Sequence, residues 1–153
     1  DYAYYPDNYA HDRKEGDEAI IRVLYSRPQK KEREIFGKKV AYGKVWRTGA
    51  NEATEIKVYK DISIGGEKLN AGTYSLFTIP TEKEWTIIFN SDLDYWGAYS
   101  YKEANDELRI TAASSKSKKP IEAFTIQFKE GDKNEGIMQL AWDEVIVDIP
   151  FKY

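Results

Sequence analysis

The chain has 153 residues, no cysteine and a formal net charge of −3, with 23 basic and 26 acidic side chains interspersed along it. Without cysteine, thiol catalysis, disulfide frameworks and cysteine-ligated metal sites are excluded. The balanced charge exerts no long-range attraction on phosphates, so nucleic acid is not expected as a partner, and no apolar run is long enough for a membrane-spanning helix. The length suits one domain, since single domains commonly run to roughly 100–200 residues.

The N-terminal segment, residues 1–18, has no apolar periodicity and ends in a charged run. It predicts a flexible N-terminal tail, followed by a single domain over residues 19–153. His11, the single histidine, lies in this tail without a partner to orient it, so we do not expect it to be catalytic. Because the chain begins with Asp1 rather than methionine, we expect that an N-terminal piece has been removed, either as a leader peptide or by the choice of expressed fragment.

The first half of the domain contains three strand signals in chain order. Residues 19–25 are mostly apolar and include three β-branched side chains, and the strand they predict ends before Pro28, which cannot donate to a ladder. Residues 55–60 alternate between apolar and polar side chains, as is typical of a half-buried strand. Residues 61–69 predict a hairpin around a pair of glycines, because glycine tolerates the positive φ angles of tight turns.

The second half carries stronger strand signals. Residues 73–79 and 85–90 have apolar side chains on both faces, which predicts central strands covered on both sides. Residues 91–105 are too aromatic for an ordinary solvated loop. Four more strands are predicted over residues 107–112, 121–129, 137–142 and 144–149. This series of about nine short strands, with at most one short helix, indicates an all-β fold. A two-sheet antiparallel β-sandwich of the jelly-roll type is favoured over a barrel.

The most unusual stretch is residues 42–56, which combine aromatic, cationic, amide and acidic side chains on a backbone bent by two glycines. Arg47 offers a planar donor, Asn51 an amide and Glu52 a carboxylate, and such a set beside aromatic walls suits a small polar or carbohydrate-like ligand. The predicted ligand-binding residues are Arg27, Tyr42, Trp46, Arg47, Asn51, Glu52, Trp96 and Tyr99. In the competing interpretation Arg47 pairs with Glu52 or Glu55 and the stretch is purely structural.

No motif for a common catalytic activity or cofactor is present, and no cofactor or metal site is predicted. The compact pair Asp92 and Asp94 is typical of a solvated turn rather than a calcium site. An enzyme remains a second hypothesis, in which Glu52 acts as general acid or base and Arg47 holds an anionic group. A hydrolase acting on sugars would need a second carboxylate flanking the substrate. A structural interaction domain is the third hypothesis.

Several segments of the chain together resemble a bacterial family catalogued as domain of unknown function 2911. They are SRP at 26–28, IFG at 35–37, YGKVWRTGANEAT at 42–54, AGTYSLFTIP at 71–80, EWTIIFN at 84–90 and WGAY at 96–99. The resemblance covers roughly residues 19–150. It implies a protein exported to the periplasm or cell envelope of Gram-negative bacteria, often made with a signal peptide or lipoprotein leader. It implies no known activity, so no catalytic residue follows from it.

Overall fold

The computed structural model describes residues 1–153 and contains nine strands, two single-turn 3₁₀ helices and no α-helix. The strands are β1 (Tyr2–Tyr5), β2 (Ile21–Leu24), β3 (Thr54–Val58), β4 (Ile62–Ile64), β5 (Glu67–Leu69), β6 (Gly72–Ile79), β7 (Glu84–Asn90), β8 (Asp106–Glu130) and β9 (Glu135–Lys152). The 3₁₀ helices are Asp7–Ala10 and Glu103–Asn105. The all-β prediction is confirmed, and neither helical turn has the length and apolar character needed to cross a membrane.

All neighbouring strands are antiparallel, and they follow the order β1-β2-β3-β6-β7-β8-β9-β4-β5 in one open sheet. The jelly-roll-like prediction placed the strands in two separate sheets. In the structure all nine strands belong to one sheet, because β8 is long enough to pair with β7 on one stretch and with β9 on another. Its residues 106–113 pair with β7 and its residues 114–130 pair with β9, so one strand joins the two parts.

Strand β9 turns back on itself at Asp143, which has a φ of 53°. As a result the backbone N–H of Tyr153 donates to the carbonyl of Asn134 at 2.9 Å, and Gln139 Nε2 donates to Asp148 Oδ1 at 2.8 Å. The sequence predicts two strands on either side of Asp143, and the reversal lies at this break. Opposite it, the register of β8 shifts between Lys116 and Ile121.

One hydrophobic core of 28 buried residues draws side chains from both ends of the sheet. Tyr5 of β1 contacts Phe151 of β9 edge to face, with 5.0 Å between the ring centroids. These strands lie six positions apart in the strand order, so the sheet curls until β1 at one edge contacts β9. Burial of this apolar surface is the main contribution to stability.

Strands β6 and β7 are covered on both faces, as their apolar pattern predicts. Phe77 and Ile88 pair across the two strands and are fully buried, although they lie outside the main core. The loop formed by residues 91–105 covers this second face, and the Tyr101 ring lies 5.0 Å from that of Phe77. The aromatic composition of the loop is therefore explained partly by packing.

The start of the chain corrects the prediction of a tail for residues 2–5, which form β1 and pair with β2. The backbone nitrogen of Asp1 donates to the carbonyl of Tyr25 at 2.8 Å, and the Tyr5 side chain is buried. The sequence pattern conceals this strand because its residues are mostly tyrosines, of which only Tyr5 is inserted into the core. Residues beyond the first 3₁₀ helix, up to Glu18, lie outside any strand.

The reversal of β9 generates a prediction at Gly136. A Cβ atom at this position would lie 2.5 Å from Cζ of the buried Phe151 ring, so Gly136→Ala forces the ring to move. We expect a loss of about 1–3 kcal/mol in the free energy of unfolding, measured by urea denaturation. Phe151→Leu removes part of the clash. In a double-mutant cycle the two changes should therefore be strongly coupled, and simple additivity would contradict the proposed packing.

Candidate functional site

The bend after Trp46 is anchored to the central strand β6. Trp46 exchanges backbone hydrogen bonds with Thr78 at 2.7 and 3.0 Å, and the hydroxyl groups of Thr48 and Thr78 lie 3.1 Å apart. Thr48 is fully buried with a φ of 58°, a conformation that a β-branched residue rarely adopts and that costs about 1–3 kcal/mol. The Thr54 hydroxyl donates to the Thr48 carbonyl and helps to hold this turn.

Two loops that the sequence singles out meet directly beside this turn. The backbone N–H of Ala53 donates to the carbonyl of Tyr95 at 2.9 Å, and that of Gly97 donates to the carbonyl of Asn51 at 2.8 Å. Glu52 and Trp96 form an isolated antiparallel bridge between these two bonds. Asn51, Glu52 and Trp96, predicted as members of one site, are therefore brought together.

A polar network fixes the far end of the loop that carries Trp96. Asp106 Oδ2 accepts hydrogen bonds from the Tyr101 hydroxyl and from Arg109 Nε, both at 2.6 Å, and Asp106 Oδ1 accepts one from Asn90 Nδ2 at 2.8 Å. Burial, followed by the hydrogen bond to Asp106, raises the pKa of Tyr101 to about 12. Sequence reasoning missed this network, because its residues are common polar types with no distinctive spacing.

Trp46 belongs to the core and not to the wall of a ligand site. Only 7% of its surface is exposed, and its ring is stacked 6.0 Å from that of Trp142. It also packs against the rings of Phe36, Trp85 and Phe124. The sequence pattern misled because a tryptophan beside a glycine-rich bend has the same appearance in a binding site and in a core.

Arg27 is also occupied by the protein itself. Its guanidinium donates to the carbonyl of Phe124 at 3.0 Å, to Thr125 Oγ1 at 2.9 Å and to Asp1 Oδ2 at 3.2 Å. These bonds tie the segment after β2 to the second half of β8. Arg27 therefore has a structural role that accounts for its position.

Tyr42 lies at the other end of β6. The neighbouring Gly43 donates its backbone N–H to the carbonyl of Pro80, whereas Thr54, next to the loop junction, pairs with Leu76. Four residues along a strand correspond to about 13 Å. Burial raises the pKa of Tyr42, and the nearby carboxylates of Glu82 and Glu34 add to the increase. Tyr42 is therefore not brought together with Trp96.

Arg47 has no partner in the protein. Its Nε atom is buried without a hydrogen-bond acceptor, and none of the ion pairs in the structure includes it. Its Cδ atom lies 3.9 Å from the point that a Cβ atom on Gly97 would occupy, so the side chain runs beside the loop junction. A buried donor left unpaired costs about 1–3 kcal/mol. The predicted structural alternative, an ion pair with Glu52 or Glu55, is not formed.

Two large rings of the loop that contains Gly97 face solvent. Trp96 is 64% exposed and Tyr99 is 89% exposed, and the Tyr99 ring lies against Gly97. Exposed aromatic residues of this size on a protein surface often mark an interaction site. Together with Arg47, Asn51 and Glu52, these rings form what we call the loop-junction surface.

A cleft of about 200 Å³ borders this surface. Its lining includes the carboxylates of Asp1, Glu52, Glu55 and Asp94, together with two serines. The carboxylates are spread along the cleft, and no group of three or more acidic or histidine side chains in the structure is arranged to hold a metal ion. Asp1 and Glu55 pair with Arg27 and Arg22, so Glu52 and Asp94 are the carboxylates of the cleft whose charge is not compensated by an ion pair.

The different positions of two tryptophans can be tested by unfolding. Trp46→Ala removes a ring from the aromatic core and should lower the free energy of unfolding by about 3–5 kcal/mol. Trp96→Ala removes an exposed ring and should change it by no more than about 0.5 kcal/mol. Urea denaturation followed by circular dichroism measures both. Equal losses for the two variants would contradict the assignment of Trp46 to the core and Trp96 to the surface.

The Tyr101 network predicts a loss of stability at high pH. The folded pKa of about 12 lies above the ordinary value of 10.0, so the folded state retains the phenol proton where the unfolded chain releases it. Stability from this group is present below about pH 10 and is lost as the pH rises toward 12. Tyr101→Phe should therefore lose less stability than the native chain between these values, in denaturant titrations at fixed pH. If the free energy of unfolding of Tyr101→Phe fell with pH as steeply as that of the native chain, the prediction would be contradicted.

Comparisons with known proteins give a family and nothing finer. No curated protein and no solved structure matches the chain. A match to the family described as "Protein of unknown function (DUF2911)" covers residues 7–151. It extends the resemblance seen in the sequence from residue 19 back to residue 7, into the N-terminal segment. Because this match spans nearly the whole chain, the protein belongs to the DUF2911 family.

Proposed function

We propose that the protein binds a small polar or carbohydrate-like ligand at the loop-junction surface. The observation that carries this proposal is the Arg47 side chain, which has no acceptor in the protein and runs beside Gly97, against which the exposed Tyr99 ring also lies. A partly buried cation without a partner is unfavourable unless another group completes its hydrogen bonds. A bound ligand would supply that group.

The chemistry of the surface suits a ligand with hydroxyl groups and an apolar face. Aromatic rings can stack on such a face, while guanidinium, amide and carboxylate groups exchange hydrogen bonds with hydroxyls. Asn51 and Glu52 are exposed and supply the amide and the carboxylate. The backbone that carries them is held by bonds between the two loops, so little ordering is required on binding.

Binding is better supported than acid–base catalysis at Glu52. A general acid or base needs a site sheltered from water, and Glu52 is exposed. The purely structural hypothesis is also less well supported, because it requires Arg47 to be locked to a neighbouring carboxylate. We also propose that the protein is exported to the cell envelope, as the resemblance implies. Fractionation of the native host would test this localisation.

Trp96 provides an internal reporter for binding. The other three tryptophans, Trp46, Trp85 and Trp142, are buried, so Trp96 dominates the part of the fluorescence that acrylamide quenches. We expect sugars or polar metabolites that bind to protect this emission and to raise the thermal midpoint. Trp96→Ala should weaken binding by about tenfold, equivalent to about 1.4 kcal/mol.

A matched control separates the surface from the rest of the fold. Tyr42→Ala removes a half-exposed tyrosine at the other end of β6 and should leave the affinity unchanged. A broad library of sugars and polar metabolites that produces neither protection of Trp96 nor a thermal shift would contradict the proposed function. A ligand bound equally well by the native chain and by Trp96→Ala would place its site elsewhere.

A further inference from the structure

We infer that the ligand carries a carboxylate group, and that Arg47 receives it. This inference rests on the proposed function and names the class of ligand: a sugar acid, in which a carboxylate is attached to a ring bearing hydroxyls. It follows from the pairing of the arginines, the charge of the neighbouring cleft and the exposed rings.

Arg47 is unusual among the arginines of this protein. Arg22, Arg27 and Arg109 each pair with a carboxylate, Arg33 donates to backbone carbonyls, and Arg13 lies over the ring of Tyr9. Arg22 shares with Arg47 a buried Nε without a partner, but its terminal nitrogen lies 3.3 Å from Glu55. Arg47 is thus the partly buried arginine that lacks an anionic or carbonyl acceptor.

The missing partner is best supplied by an anion. A guanidinium presents five N–H donors in a planar fork that matches the two oxygens of a carboxylate. A neutral hydroxyl has a single oxygen, which does not match both arms of the fork, and it leaves the charge uncompensated. The terminal nitrogens of Arg47 make no hydrogen bond to the protein, and they are not among its buried unpaired atoms. They can therefore reach a ligand without rearrangement of the core.

The cleft beside the surface selects among anions. Glu52 and Asp94, the two of its carboxylates that form no ion pair, repel an approaching anion, and this repulsion grows with the charge of the ligand. A phosphate monoester carries about −1.5 to −2 charges at neutral pH, whereas a carboxylate carries one. The single charge retains the bidentate contact with Arg47 at a smaller electrostatic cost, so a carboxylate is favoured over a phosphate.

The two exposed rings indicate what carries the carboxylate. Trp96 and Tyr99 flank Gly97, which Arg47 also adjoins, so a group held by the guanidinium lies within reach of aromatic surface. A sugar ring offers apolar C–H faces for this surface and hydroxyls for Asn51 and Glu52. A short aliphatic acid would leave these groups without contacts.

The experiment compares matched pairs of ligands in which esterification of the carboxylate removes its charge. The methyl glycosides of glucuronic, galacturonic and mannuronic acid, each with one carboxylate, are titrated against their methyl esters by calorimetry. At least one acid should bind about tenfold or more tightly than its ester, and its affinity should fall as salt is added. Arg47→Gln should abolish the difference. Arg47→Lys should lose most of it, because an ammonium group lacks the planar fork.

Controls separate failure of this inference from failure of the proposed function. Arg13→Gln removes the same charge from an exposed arginine and should leave the preference intact. The inference would be overturned if the esters bound as tightly as the acids. It would also be overturned if Arg47→Gln, with a native thermal midpoint, kept the preference for acid over ester. In both cases the proposed binding would stand. Absence of binding by every acid and ester, together with a metabolite library that gives no response, would overturn both.

Discussion

The backbone pairing of Trp46 with Thr78 is the constraint on which the candidate site depends. It joins the loop after residue 42 to the central strand β6, while the Trp46 ring occupies the aromatic core. With this residue held from both sides, the next residue, Arg47, must project away from the core toward the loop junction. The position of the cation is thus set by the packing of the preceding tryptophan rather than by contacts of its own.

A strained turn follows this anchor, and the surrounding structure offsets its cost. Thr48 is held at a positive φ angle by buried hydroxyl contacts, which compensate for a conformation that would be unfavourable in isolation. The turn sends residues 51–53 against the loop that carries Trp96 and Tyr99. That loop is fixed at its far end by Asp106 and covers Phe77. The same loop therefore packs against the sheet and carries the exposed rings.

The electrostatic arrangement of the surface is asymmetric. The Arg47 side chain has no partner, and the neighbouring cleft contains two carboxylates, Glu52 and Asp94, that form no ion pair, although the chain as a whole is nearly balanced in charge. Such an arrangement favours ligands that bring a single negative charge and many hydroxyls, and it disfavours highly charged anions. Specificity of this kind comes as much from repulsion of the wrong ligand as from attraction of the right one.

The all-β class, the double-sided burial of β6 and β7 and the break at Asp143 were determined by the sequence, because side-chain alternation and apolar runs are local properties of strands. Local pattern also identified the two loops that meet at the junction. Tertiary structure alone decided that Trp46 is buried, that Arg27 is occupied by β8, that residues 2–5 form a strand and that Arg47 has no partner. Each of these depends on which distant residues come within a few ångströms, and an isolated stretch of sequence contains no information about that distance.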